Sequence, residues 1–128
     1  MKKPSMIRNI LISAAALSLL ALALAFYAYS APLVVLHYAA DAGKPVAFFF
    51  NDDNNITKDT LYPGTSRQFR TASHPHADYF IEVSLPLDSQ DGVEIKPPFS
   101  RVDVYIGADT KIARTAVTTD FLARFNNN

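Results

Sequence analysis

The chain has 128 residues, a formal net charge of zero and no cysteine, so disulfide bonds and thiol chemistry are excluded. Three of the 12 basic residues precede a long apolar segment near the N-terminus, and the remaining 9 face 12 acidic residues. This mildly acidic balance argues against nucleic-acid binding, which needs clustered Lys and Arg. The roughly 95 residues after the segment suffice for one small domain but not for two.

The apolar segment, residues 10–31, predicts a transmembrane helix behind a basic flank, residues 1–9. The segment contains no charged side chain, and about 20 residues at roughly 1.5 Å each match the thickness of a bilayer's hydrocarbon core. Basic residues precede it and two tyrosines stand near its end, where amphipathic rings favour the headgroup level. The expected membrane-interface residues are Lys2, Lys3, Arg8, Tyr27 and Tyr29. A buried helix of a soluble domain is disfavoured, because such a helix has a polar face.

The position of the basic flank predicts the orientation of the span. We expect a cytoplasmic N-terminus and a periplasmic C-terminal domain, attached to the inner membrane of a bacterial cell. The alternative is a cleaved signal peptide, since Ala28 and Ser30 are small residues at positions −3 and −1 of a cut before Ala31, and the product would be secreted to the periplasm. The apolar run exceeds the roughly 7 to 15 residues of a signal's hydrophobic region, which favours a retained anchor.

Strand-like runs begin directly after Pro32. Leu33–Tyr38 predicts a first strand, because proline opposes helix continuation and the run is rich in β-branched residues. A helix that continues past a kink at Pro32 is the alternative. Residues 45–51 are almost continuously apolar and predict a strand in the middle of a sheet. The Asp and Asn residues at 52–55 predict a chain reversal.

The next runs predict a hairpin and a half-buried strand. Residues 56–62 and 66–71 flank Pro63 and Gly64, a pair suited to a type II turn, so these two runs are expected to pair with each other. Residues 78–85 place apolar side chains at alternating positions, which is the period of a strand with one buried face.

The last third of the chain predicts a connection and a second hairpin. Residues 86–98 are polar and bounded by prolines, as expected for a long connection with a short edge segment. A strand starting at Arg101, a turn at 107–110 and a return strand at 111–118 follow. Residues 119–125 suit either a final strand or one helical turn.

Together these runs predict a mainly β domain over residues 32–128. Roughly six to eight short strands with turn residues between them indicate a small antiparallel β-sandwich of immunoglobulin-like architecture. A small β-barrel is the alternative fold. Many unrelated proteins share this outline, so the fold alone carries no function.

The candidate metal ligands are His74, His76 and Asp78. On extended backbone, residues at i, i+2 and i+4 project to one face, and imidazole with carboxylate suits zinc or copper. However, Pro75 interrupts strand geometry, and His37 falls too close to the predicted span to supply a fourth ligand. A solvated polar turn is therefore the favoured interpretation, with no resident cofactor.

The sequence predicts no catalytic residue. Ser73 beside His74 and Asp78 does not make a triad, because triad members meet through a geometry that sequence neighbours on one strand do not provide. The carboxylates of residues 86–98 are explained by solvation of a polar loop. We therefore expect that the chain is not an enzyme.

A run of three phenylalanines at positions 48–50 suggests a contact surface. Neighbouring side chains on a strand point to opposite sheet faces, so the three rings cannot all fill one core. One ring must face the other way. If that ring is Phe49, the alternatives for what covers it are another strand, the membrane surface or a partner protein, and Phe49 is the candidate residue for binding another protein.

These patterns favour a single-pass envelope protein whose outer β-sandwich is a non-catalytic protein-binding or assembly accessory module. Its expected partners are the lipid bilayer and another envelope protein, with edge strands contributing to the contact. One alternative is a periplasmic metal-binding or metal-delivery module. Another is a secreted inhibitor or immunity-type protein released by signal cleavage.

Overall fold

The computed structural model describes residues 3–125, with side chains from Ser5 onward. The chain divides after Ser30 into two units. The first unit contains one helix, α1 (Lys3–Tyr29), and the second contains a β domain and a short 3-10 helix. The elements of the second unit are β1 (Leu33–Tyr38), β2 (Val46–Asp52), β3 (Asn55–Leu61), β4 (Ser66–Arg70), β5 (Ile81–Leu85), β6 (Asp91–Ile95), β7 (Arg101–Ile106), β8 (Ile112–Thr118) and η1 (Phe121–Phe125).

Helix α1 is apolar on every side and exposes its large side chains. The stretch Ser5–Tyr29 is long and apolar enough to cross a membrane, as the sequence predicts. The helix already begins at Lys3, so residues 3–9 of the expected basic flank are helical.

The helix ends just before Pro32. The backbone N–H of Ser30 donates to the carbonyl of Phe26 at 2.8 Å, which closes the last turn, and the chain continues as β1 from Leu33. The alternative of a helix that continues past Pro32 is therefore wrong. Proline lacks the N–H that a further helical hydrogen bond would need.

The β domain consists of two four-stranded sheets packed face to face. Sheet A has the strand order β4-β1-β7-β8, and sheet B has the order β3-β2-β5-β6. Buried apolar side chains of both sheets form one core, so the predicted sandwich is confirmed and the barrel is not adopted. Strand β2 lies inside its sheet, as its continuous apolar run predicts.

One pair of neighbouring strands departs from the expected antiparallel arrangement. Strands β1 and β7 run parallel, with Leu33 opposite Arg101 and His37 opposite Tyr105. Every other neighbouring pair is antiparallel. Residues 33–36 are buried on both sheet faces, which is the pattern typical of parallel-paired strands.

An aromatic trio joins the two sheets across the core. The ring of Phe69 on β4 stacks on Phe50 of β2, with 4.0 Å between centroids. The same ring meets Phe48 edge-on at 5.9 Å. Stacked and edge-on pairs each add about 0.5 to 1.5 kcal/mol beyond the burial of their area, so this trio is a principal contact between the layers.

Each open side of the sandwich carries one polar connection between edge strands. On one side Arg67 of β4 pairs with Asp59 of β3. On the other side the N–H of Ile112 in β8 donates to a carboxylate oxygen of Asp91 in β6 at 2.9 Å. Because the Arg67 side chain is half exposed, this ion pair adds little stability.

Two turn predictions had different outcomes. The reversal at 52–55 is confirmed, with positive φ angles of 49° at Asp53 and 72° at Asn54. The hairpin across Pro63 and Gly64 is wrong, because β3 pairs with β2 whereas β4 pairs with β1. Gly64 does adopt the positive φ, 77°, that a type II turn requires, but the turn carries the chain from one sheet to the other.

The remaining strand boundaries lie within one residue of the predictions, except for the start of one strand. Strand β5 begins at Ile81 rather than at residue 78, and residues 71–80 form a loop. Strand β6 is the short edge segment expected within residues 86–98. The ambiguous residues 119–125 contain a 3-10 turn.

The two ends of the sandwich carry different loops. Strand β1 begins at the Ala31 end, where Leu33 lies opposite Arg70 and Arg101. In the loop after β4, the N–H of Thr71 donates to the carbonyl of Pro32 at 2.9 Å. At the Leu87 end β1 finishes, and Lys44 links its last residue to the loop after β5: the carbonyl of Lys44 accepts from Tyr38 at 2.8 Å, and its ammonium pairs with Asp88 at 3.2 Å.

Candidate functional site

The outer face of sheet B presents Phe49 beside Lys58. Its neighbours Phe48 and Phe50 point into the core and are almost fully buried, while Phe49 is partly exposed. The confirmed alternation follows from the strand period of two. The ammonium group of Lys58, directly opposite on β3, lies 5.5 Å from the Phe49 ring centroid.

Small residues border the other flank of the Phe49 ring. Ser84 on β5 lies opposite Phe49, and Gly92 on β6 lies opposite Ser84. Side-chain size therefore decreases along this row, from the aromatic ring of Phe49 to Gly92, which has no side chain. A partner's side chain can approach the ring from this flank without meeting a bulky neighbour.

Exposed apolar and charged residues surround this row. Ile56 on β3 is 59% exposed. Glu82 and Glu94 lie directly opposite each other, and Glu94 also pairs with Lys96 at 3.5 Å. Like charges in directly opposed positions are unfavourable, so a positively charged group brought to this face would relieve their repulsion. We refer to Ile56, Lys58, Phe49, Ser84, Glu82, Gly92 and Glu94 as the Phe49 face.

The predicted metal ligands lie in the loop 71–80 at the Ala31 end. His76 pairs through Nε2 with Asp53 at 2.6 Å, and its Nδ1 accepts the backbone N–H of Asp78 at 3.2 Å. Within residues 5–125, no group of three or more His, Cys, Asp or Glu side chains is placed to hold a metal ion. Because the segment is a loop, the extended geometry behind the proposed ligand set of His74, His76 and Asp78 is not formed. Zinc or copper binding stays a prediction without that support.

A small cavity of about 130 Å³ lies at the same end, lined in part by Thr71, Tyr79 and Phe99. Burial raises the pKa of Tyr79 to about 12, and its hydrogen bond to Asp52 acts in the same direction. The phenol is therefore neutral at physiological pH and donates to that carboxylate. Pockets for drug-sized ligands measure about 300 Å³ or more, so this cavity does not support a small-molecule site.

The outer face of sheet A carries a polar cluster that sequence reasoning missed. Asp103 accepts two hydrogen bonds from the guanidinium of Arg101, at 2.9 and 3.0 Å. Its carboxylate also lies 2.7 Å from Nε2 of His37. The side chains of Arg101 and Asp103 are only 7% and 12% exposed, so a charged pair is held almost out of water on a face that does not belong to the main core.

Stacked groups extend this cluster. The ring of Tyr105 stacks on His37 with 4.6 Å between centroids and 11° between planes. The guanidinium of Arg114 lies 4.0 Å from the Tyr105 centroid. His37, Arg101, Asp103, Tyr105 and Arg114 are named the His37 cluster below. Alternation on β7 already indicates that 101, 103 and 105 point outward, but only the parallel pairing brings His37 beside them.

The carboxyl of Asp103 gives the stability a defined pH dependence. Burial raises its pKa, but hydrogen bonds from Arg101 and His37 outweigh burial and hold the pKa below the ordinary value. A depressed folded-state pKa adds stability that is present above the unfolded value, about 3.9, and is lost as pH falls through the folded value. We expect the free energy of unfolding to fall as pH is lowered from about 5 toward 2, and to fall less steeply in Asp103→Asn. Urea denaturation over this pH series measures both slopes, and equal slopes would contradict the assignment.

The predicted membrane-interface residues lie along α1 or before it. Arg8, Tyr27 and Tyr29 are exposed on the helix, with both tyrosines in its last turn. Lys3 is the first helical residue, and Lys2 lies outside the described residues.

The geometry thus offers two surfaces with organised side chains, the Phe49 face on sheet B and the His37 cluster on sheet A. The Phe49 face combines an accessible ring with charges of both signs, whereas the charged groups of the His37 cluster are largely satisfied by one another. The Phe49 face is therefore the more accessible of the two surfaces. Comparison of the chain with protein-family models, with curated proteins and with solved structures finds no match.

Proposed function

We propose that this chain is a single-pass bacterial envelope protein whose β-sandwich is a non-catalytic module for binding another protein. In this proposal α1 is a retained anchor in the inner membrane, the N-terminus is cytoplasmic and the sandwich is periplasmic. The length and apolar surface of α1 support the anchor. Basic residues before the span and tyrosines at its end support the orientation.

The Phe49 face is the observation that carries the binding role. Aromatic side chains surrounded by polar groups are typical anchors of protein interfaces. Phe49 lies on the inner strand β2, so its backbone is held on both sides while its ring stays partly exposed. A ring fixed in this way loses little conformational entropy when a partner covers it.

The charges of the same face indicate the chemistry of the partner. Glu82 and Glu94 are exposed and face each other, while Lys58 is directed to the ring. A partner with an apolar group for Phe49 and a basic group for the two glutamates would satisfy both features. In this immunoglobulin-like architecture β3 and β6 are the edge strands of the sheet. A strand of the partner that paired with the backbone of either edge would extend the contact.

The test places a photo-crosslinking residue at position 49 of the full chain in living cells. We expect a discrete crosslinked protein from position 49 and none from position 87, where Leu87 is 64% exposed at the opposite end of the sandwich from Ala31. Replacing an interface anchor by alanine costs about 2 kcal/mol or more of binding free energy. Phe49→Ala should therefore lower the affinity for that protein by roughly 30-fold, measured as reduced recovery in mild detergent.

The control for the binding test is Leu87→Ala, which removes a comparably large exposed side chain. It should leave partner recovery unchanged, and both variants should unfold at nearly the wild-type urea concentration. Equal crosslinking from positions 49 and 87, or undiminished recovery with Phe49→Ala, would refute a specific role for this face. Recovery of a soluble chain that begins at Ala31 would refute the anchor.

A further inference from the structure

The 3-10 helix η1 exposes a small apolar surface at the Ala31 end. Phe121, Leu122 and Phe125 are 45%, 70% and 40% exposed. The two phenyl rings meet edge-on with 5.6 Å between centroids, so they form one continuous surface. These three residues are named the η1 patch.

Hydrogen bonds hold η1 beside the point where the β domain begins. One guanidinium nitrogen of Arg70 lies 3.1 Å from the carbonyl of Ala31 and 3.1 Å from the carbonyl of Arg124. The side chain of Arg124 also reaches the hydroxyl of Ser100 at 3.3 Å. Ala31 directly follows Ser30 in the chain, so Arg70 ties η1 to the residue that comes next in sequence after the helical unit.

The composition of η1 suits the boundary between lipid and water. Phenylalanine and leucine partition into the acyl region, while arginine extends its charge toward headgroups. The guanidinium of Arg124 lies 4.9 Å from the Phe121 centroid, so cation and ring are already adjacent. The patch contrasts with the rest of the β domain's apolar residues, most of which fill the core.

We propose that the η1 patch inserts into the headgroup region of the same membrane that α1 spans. This inference depends on the anchoring in the proposed function. Three side chains are a small surface for a freely diffusing partner, but attachment through Ser30 and Ala31 makes the lipid contact intramolecular. A high effective concentration allows even a weak contact to be occupied. Insertion would hold the Ala31 end of the sandwich against the bilayer.

The test uses a single tryptophan, because the natural chain contains none. Leu122→Trp reports on the η1 patch, and Leu87→Trp is the matched control with similar exposure at the other end of the sandwich. Both full-length variants are placed in lipid nanodiscs of phosphatidylethanolamine and phosphatidylglycerol, with and without lipids brominated near the headgroup. We expect a blue-shifted emission at position 122 and its loss with brominated lipid, whereas position 87 should show neither change.

The other outcomes separate the two proposals. Water-like emission at position 122 in a chain that remains in the nanodisc overturns the lipid contact and leaves the anchor intact. A blue shift that brominated lipid does not quench assigns the η1 patch to a protein contact and also overturns the inference. Intact-mass measurement of the same sample tests whether α1 is retained, and its loss overturns both proposals.

Discussion

Replacing Asp103 with alanine is expected to lower the free energy of unfolding by about 3 kcal/mol. The substitution removes the two carboxylate oxygens that accept hydrogen bonds from Arg101. The Arg101 side chain is only 7% exposed, so a poorly solvated guanidinium loses its carboxylate partner. His37 loses its carboxylate partner at the same time. Urea denaturation of the full chain in detergent, followed by tyrosine near-UV circular dichroism, measures the change.

A double variant separates the cost of removing one charge of the pair from the net contribution of the ion pair. Arg101→Met with Asp103→Leu removes both charges and keeps most of the side-chain volume. Apolar replacement of a buried ion pair is often neutral or stabilising, so this variant should be more stable than Asp103→Ala alone. If the double variant were the less stable of the two, the pair would be contributing net stability and the explanation would be wrong.

Phe48→Ala is expected to cost about 3 to 5 kcal/mol, because it empties a fully buried aromatic position. Its ring also contacts Phe69 of the opposite sheet, so the variant weakens the contact between the layers. Domains of this size have total stabilities of only about 5 to 15 kcal/mol. The variant should therefore unfold at a much lower urea concentration than the natural protein.

The adjacent residue provides the comparison. Phe49→Ala changes a partly exposed side chain and should cost about 1 kcal/mol or less. Phe48→Leu, which retains much of the volume, keeps the test informative if the alanine variant fails to fold. Equal losses from Phe48→Ala and Phe49→Ala would contradict the assignment of these rings to opposite faces.

Local patterns in the sequence predicted the elements and the direction of their side chains. The run at 10–31 predicted a candidate span, and the period of two predicted that Phe49 points away from the core. Both depend on properties of neighbouring residues along the chain. Turn residues likewise predicted the reversal at 52–55 and the positive φ of Gly64.

Pairing between distant strands was not accessible in the same way. The hairpin across Pro63 and Gly64 was a reasonable local inference, yet β3 and β4 join different sheets. The parallel pair of β1 and β7 joins residues nearly 70 positions apart. Because this pairing creates the contact of His37 with Asp103, the His37 cluster could not be found without it.

The position of β1 also constrains the order in which the domain is completed. This strand comes first after α1, but in the finished sheet it lies between β4 and β7. The second of these neighbours, β7, ends at Ile106. The hydrogen bonds of β1 therefore cannot be complete until most of the polypeptide has been made. Long-range pairing of this kind slows folding. During synthesis, the apolar run of β1 therefore stays exposed until most of the domain has been made, and this interval is when the chain most needs protection from aggregation.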